Sequence, residues 1–264
     1  TEKVHRLYFW NMLGSGVGGI FILLSMYLLP TSLLIYPILL VASSAAVLIG
    51  LSEEKKDTTR FPVRQLVLPA ALLLVSLAGI ALLGRIVPSQ YKSVELDKVT
   101  YSDFTLQHSE YGPHGEIEVY SSSQYHFAPG LSDNVIFYID EMPKDAFWGL
   151  YLNGDGPINI MGKLDDNQKR YIDFLPMTGV YKLLDSPDVL LVKLGGGFSS
   201  FVARHHKAHS ITVVEPDYTI TRMMKTVPAI SEFNGNLLDG IRVIDGEPRA
   251  FTTTTKEKFN LVEL

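Results

Sequence analysis

The chain has 264 residues, 47% of them apolar, and a mean hydropathy of +0.16, too hydrophobic for an ordinary soluble domain and too mild for a protein that is membrane throughout. Its charge is divided: residues 1–94 carry eight Lys and Arg against four Asp and Glu, and the remainder fifteen against twenty-four. An acidic polar part argues against nucleic acid, whose phosphates need clustered Lys and Arg, and the absence of cysteine removes disulfides, thiolate metal sites and thiol nucleophiles.

Residues 7–52 and 65–84 contain no charged side chain. A bilayer core needs about 20 apolar residues per helix, so the pattern predicts three transmembrane helices: Leu7 to Leu29, a turn at Pro30-Thr31-Ser32, Leu33 to Leu51, a charged loop, then Gln65 to Ile86. A cleaved secretory signal is not the expectation, because these runs are longer than its apolar region and no cleavage site follows. Gly14 with Gly18 and Ser15 with Gly19 are small-xxx-small pairs that let another helix approach. Tyr8, Phe9, Trp10 and Tyr27 stand where interfacial aromatics belong. The lipid bilayer and neighbouring membrane helices are therefore the expected partners of residues 1–94.

After a polar connector over 87–94, residues 95–165 read as an antiparallel β unit. Glu116-Ile117-Glu118-Val119-Tyr120 alternates, Val135 to Ile139 is a short apolar run, and Gly112-Pro113, Pro129-Gly130 and Asn153-Gly154-Asp155-Gly156 punctuate. Tyr171 to Leu184 has helical spacing broken at Pro176. Residues 166–264 then alternate: a strand at Val189 to Leu194, a helix near Phe198 to His206, a strand at Ile211 to Val214, a helix near Thr219 to Val227, and strands at Ile241 to Ile244 and Phe259 to Leu264. That order implies a Rossmann-like parallel sheet with helices on its faces. The fold class expected is α/β, three membrane helices followed by the β unit and a parallel sheet that is incomplete at its C-terminal end. Thr1 in place of Met and Leu264 inside an apolar run add the expectation of a fragment or a processed chain.

The chemistry concentrates at Gly195-Gly196-Gly197, which follows a strand and opens a helix. Glycines there let a ligand approach the backbone, and Glu215, at the tip of the next strand, is placed to accept both hydroxyls of a ribose. Ser200 occupies the third glycine position of the dinucleotide pattern, so the NAD form is poorly matched. One strand on, Asp245-Gly246 ends a strand on the same crevice, where the carboxylate can accept from an adenine amino group. Glu215 and Asp245 together point to an adenosine site.

These residues resemble the polyamine aminopropyltransferase (spermidine synthase-like) family, in the branch whose domain is fused to membrane helices. The resemblance runs through Tyr8-Phe9-Trp10-Asn11-Met12-Leu13-Gly14, His114 to Tyr120, Tyr151 to Pro157, Tyr171 to Pro176, Leu190 to Glu215 and Asp245-Gly246. It implies a methyltransferase-type sheet that binds S-adenosylmethionine or its decarboxylated form at Gly195 to Gly197, Glu215, Asp245 and Gly246, with aminopropyl or related transfer to an amine. Where the family carries a Tyr-His-Glu run that helps bind the amine, this chain reads Tyr171-Ile172-Asp173, leaving Tyr171 and Asp173 as weak substrate candidates. The family's catalytic Asp lies just beyond the fourth strand, here Phe259 to Leu264, so the general base is expected either outside this sequence or missing from the protein. A further segment or partner chain is expected beside that strand, whose edge would otherwise be open.

No metal is expected. His205 and His209 have metal-ligand spacing on a helix, but the helix ends between them and no third ligand is evident, so His205, His206 and His209 read as surface histidines. Asp165 and Asp166 read as a cap. The alternative function is a catalytically inactive membrane scaffold or assembly subunit built on the same fold. Lys3, Arg6, Lys55, Lys56, Arg60 and Arg64 place the N-terminus and second loop in the cytoplasm. That puts the acidic domain outside, in conflict with a cytoplasmic cofactor. The localisation expected is multi-pass in a bacterial inner membrane, with the domain's side left open.

Overall fold

The structure, a computed structural model, describes residues 2–29, 33–54, 63–82, 89–130, 143 and 145–264. The turn expected at Pro30 to Ser32, the charged loop over 55–62, the end of the third helix at Ile86 and the apolar run Val135 to Ile139 lie outside the described residues. Two compact units result, Thr1–Ser89 and Gln90–Leu264.

The first unit holds three helices, α1 (Glu2–Leu28), α2 (Ile35–Glu54) and α3 (Val63–Leu82), with α2 against α3. One serine of each bonds inside its own helix: Ser25 Oγ donates to the Phe21 carbonyl at 2.8 Å, Ser43 to Leu39 at 2.6 Å and Ser76 to Leu72 at 2.7 Å. Back-bonding of this kind satisfies a hydroxyl where no water is available. Among the described residues one helix is long and apolar enough to cross a membrane, Val4–Leu28, while Ile35–Val47 is a shorter apolar stretch. The expectation of three transmembrane helices is corrected accordingly. At ~1.5 Å per residue, the Ile35–Val47 stretch falls short of the ~30 Å hydrocarbon core. A Cβ placed on Gly14 or Gly18 would meet nothing within 4 Å.

The second unit combines an antiparallel and a parallel sheet. Its first helix, α4 (Ser93–Thr100), occupies the end of the expected connector; Val94 is fully buried and its amide donates to the Gly154 carbonyl. The antiparallel sheet runs in order β1 (Thr105–Gly112), β2 (Gly115–Ser121), β3 (Phe147–Leu152), β4 (Asp155–Met161). In β2 the predicted alternation holds from Glu116 to Val119, with Ile117 and Val119 fully buried and Glu116 and Glu118 partly exposed, and ends at Tyr120, which is buried as well. Asn153-Gly154, both at positive φ, make the two-residue turn joining β3 to β4.

Pro176 breaks the next segment as expected. A 3-10 turn over Gln168–Phe174 ends at extended Leu175, since the residue before proline avoids helical geometry, and a single turn, α5 (Thr178–Tyr181), follows. The parallel sheet contains β5 (Asp188–Val192), β6 (Ser210–Glu215), β7 (Arg242–Asp245) and β8 (Leu261–Glu263) in order β7-β6-β5-β8. Its helices are α6 (Phe198–His205), α7 (Tyr218–Thr226), α8 (Pro228–Phe233) and α9 (Pro248–Thr254). The order doubles back between β5 and β8, and the carboxyl ends flanking such a reversal form a crevice. One core joins both sheets, from Ile117 and Leu150 to Leu191, Val213 and Met223.

Candidate functional site

Each element of the crevice follows from its sequence. Apolar Val189 to Leu191 bury β5 on both faces, and the chain then turns sharply, with Lys193 at φ 77°, Gly195 at 51° and Gly197 at 82°. Glycine takes such φ values without a Cβ penalty. Gly196 answers a second demand: a Cβ there would lie 1.9 Å from the Asn159 carbonyl oxygen and 2.8 Å from the Ile160 amide, because the end of β4 bridges to the turn at Gly197. The protein's own backbone thus already occupies one approach to the glycines. Ser200 is buried behind them with its hydroxyl unpartnered.

Glu215 and Asp245 sit in register at the ends of β6 and β7, on one edge of the sheet as expected. Their environments differ. Asp245 is exposed, whereas Glu215 is 3% exposed and accepts from the amides of Leu194 (2.7 Å), Gly195 (3.4 Å) and Asp217 (2.9 Å). The Gly246 amide donates to the Glu215 carbonyl. Glu215 therefore fixes the glycine turn, and a carboxylate with about four acceptor positions keeps little capacity beyond those three bonds.

A pocket of about 390 Å³ opens on the other side of the turn, between β5 and β8. Gly195, Gly196, Lys193, Ser199, Asn159 and Glu263 supply its polar lining, and Phe127, Met177 and Ile158 part of its apolar wall. Its volume falls in the ~300–1,000 Å³ range of small-molecule sites. Glu263 is the residue that sequence reasoning overlooked. Its carboxylate accepts from Ser199 and, at 3.1 Å, from Tyr181. A strand-end acid at the reversal of strand order is the signal that could have found it. Burial, then the Glu263 charge, pushes the Tyr181 phenol up, so the hydroxyl stays protonated and donates.

The two weak substrate candidates separate. Tyr171 is fully buried in the core against Phe147, its hydroxyl without a partner, because apolar neighbours on β3 and α6 enclose that face of the 3-10 turn. Asp173 points the other way and is exposed, its Oδ1 3.4 Å from His205 Nε2. Neither residue lines the 390 Å³ pocket. His209 pairs instead with Asp188 at 2.8 Å, and Asp165 caps the 3-10 turn through the Gln168 amide at 2.8 Å. Burial, then neighbouring His205, pushes the His206 imidazole down. Among the described residues, β8 pairs on one side only, leaving Val262 half exposed at the sheet's edge. The chain matches no protein-family model, and no curated protein shows significant sequence similarity to it.

Proposed function

We propose that the chain is a membrane-anchored, spermidine synthase-like protein whose β5–β8 crevice binds an S-adenosylmethionine-type nucleotide, for group transfer to an amine. The observation that carries this reading is the 390 Å³ pocket at the carboxyl ends of β5 and β8, walled by Gly195 and Gly196. When bound, a sulfonium nucleotide would supply an electrophilic carbon: its C–S bond would break as the amine nitrogen bonds to it, a neutral thioether would leave, and the ammonium formed would give its proton to solvent. The chain's own part is placement: the glycine turn admits the ligand beside backbone, and Glu263 sets a negative charge against a cationic ligand. Glu215 holds the turn, and Asp245 remains free for the adenine end. Val4–Leu28, the one described helix long and apolar enough to cross a bilayer, is the anchor, in a bacterial inner membrane.

A second reading, a scaffold or assembly subunit with no ligand, is favoured by one set of contacts. Gly196 is required by Asn159, and Glu215 is spent on amides, so the motif serves the fold even without a nucleotide. Calorimetric titration of the detergent-solubilised chain with S-adenosylmethionine and methylthioadenosine separates the two. Saturable binding weakened by Ser199→Phe, which fills the pocket, supports the first reading; no heat with either compound supports the second.

A further inference from the structure

Three side chains with metal-ligating atoms meet where the 3-10 turn Gln168–Phe174 reaches the end of α6, apart from the lining of the β5–β8 pocket. Asp173 comes from the turn, His205 is the last residue of α6, and His206 is its C-cap. One ligand atom from each lies within 4.8 Å of the other two, and Asp173 Oδ1 to His205 Nε2 is 3.4 Å. Around a tetrahedral ion at ~2.0–2.2 Å, ligand atoms stand ~3.3 Å apart. One pair is therefore at the required spacing, and small side-chain rotations bring in the third.

A second observation points to a ligand. His206 Nε2 is buried with no hydrogen-bond partner, a rare and costly state for a polar atom. Its ring is held in place by stacking on Tyr181, centroids 5.3 Å apart, and stands at 84° to the ring of His205. Adjacent histidines on a regular helix diverge by ~100° around the axis, yet here one nitrogen of each ring lies within 4.8 Å of the other and of an Asp173 oxygen.

We propose that Asp173, His205 and His206 bind a divalent transition-metal ion of the zinc class, with a fourth position open to solvent. Two imidazoles and one carboxylate are a borderline donor set that suits zinc better than magnesium or calcium. Three protein ligands with an open position is the arrangement of sites that present a water or an exchangeable ligand. Lys182, whose Nζ donates to the Asp173 carbonyl at 3.1 Å, adds a positive charge that opposes the cation and keeps the site exchangeable.

The test is calorimetric titration of the chelator-treated, detergent-solubilised full chain with zinc chloride, with the visible spectrum of cobalt(II) as a second probe. The wild type is expected to bind one equivalent of zinc, raising its thermal midpoint, and Asp173→Asn, His205→Ala and His206→Ala each to weaken binding at least ~tenfold. His209→Ala, at the exposed pair with Asp188, should bind as the wild type does. Asp173 is exposed, so Asp173→Asn decides the matter even if a histidine variant misfolds. No binding by the wild type, or wild-type affinity in Asp173→Asn, would overturn the proposal.

Discussion

Gly196 and Gly246 look alike in the sequence, each a glycine beside a strand end, and the structure gives them opposite burdens. At Gly196 a methyl group would strike the backbone of Asn159, which cannot swing aside, whereas at Gly246 it would meet nothing within 4 Å. Overpacking against fixed atoms costs ~1–3 kcal/mol or more, and ~1 kcal/mol moves the midpoint of a unit this size by ~2–4 °C. Gly196→Ala should therefore lower the thermal midpoint by more than ~4 °C, and Gly246→Ala should leave it within ~2 °C. Equal midpoints would mean that β4 does not press on the turn. Asp103 offers a pH test. Its carboxylate accepts from Ser122 Oγ at 2.6 Å and from the Ser123 amide at 2.7 Å, and these bonds lower its pKa from 3.8 to about 2. A carboxyl held lower when folded stabilises above its unfolded pKa and loses that contribution as pH falls through its folded one. Its share of stability should thus fade between pH 3.8 and about 2, and Asp103→Asn should lack that part of the acid transition. An identical acid profile in the variant would refute the assignment.

At the scale of elements, the strands β2, β5 and β6 and the helices α6 and α7 could be read because their apolar patterns and bounding turn residues, with a period of two in β2 and 3.6 in the helices, survive in the folded unit. Five features could not be read. The helix α4 has one fully buried side chain, Val94, too few to print a periodic pattern, and α8 and α9, begun by Pro228 and Pro248, have six and seven residues, fewer than two full turns. The Asp173–His205–His206 cluster was missed because its third ligand comes from a separate turn, a proximity that no local spacing encodes. Tyr171 was misplaced because motif order alone cannot say which side of a 3-10 turn faces the core. What fixes α4 is long-range as well: Tyr151 donates to Asp97, and Tyr125 therefore donates to the Tyr151 oxygen at 2.6 Å. Tyr151→Phe leaves the Asp97 carboxylate and the Tyr125 hydroxyl without a partner, a loss of ~1–3 kcal/mol. The thermal midpoint should fall by several degrees with the secondary structure intact, and an unchanged midpoint would show that α4 does not depend on this chain of hydroxyls.

Over the whole molecule, the division of charge seen in the composition corresponds to the division into two units. The uncharged runs lie in the helical unit, and the acidic excess lies in the two-sheet unit. The second unit carries the proposed chemistry, and its central claim is that a nucleotide sits against the glycine turn between β5 and β8. The most direct measurement is amide hydrogen exchange of the full chain, with and without saturating S-adenosylmethionine. The account predicts slowed exchange over residues 193–199 and at the end of β8 around Glu263, with β1 and β2 unchanged. Exchange that is the same in both states, or protection confined to segments outside the crevice, would contradict it.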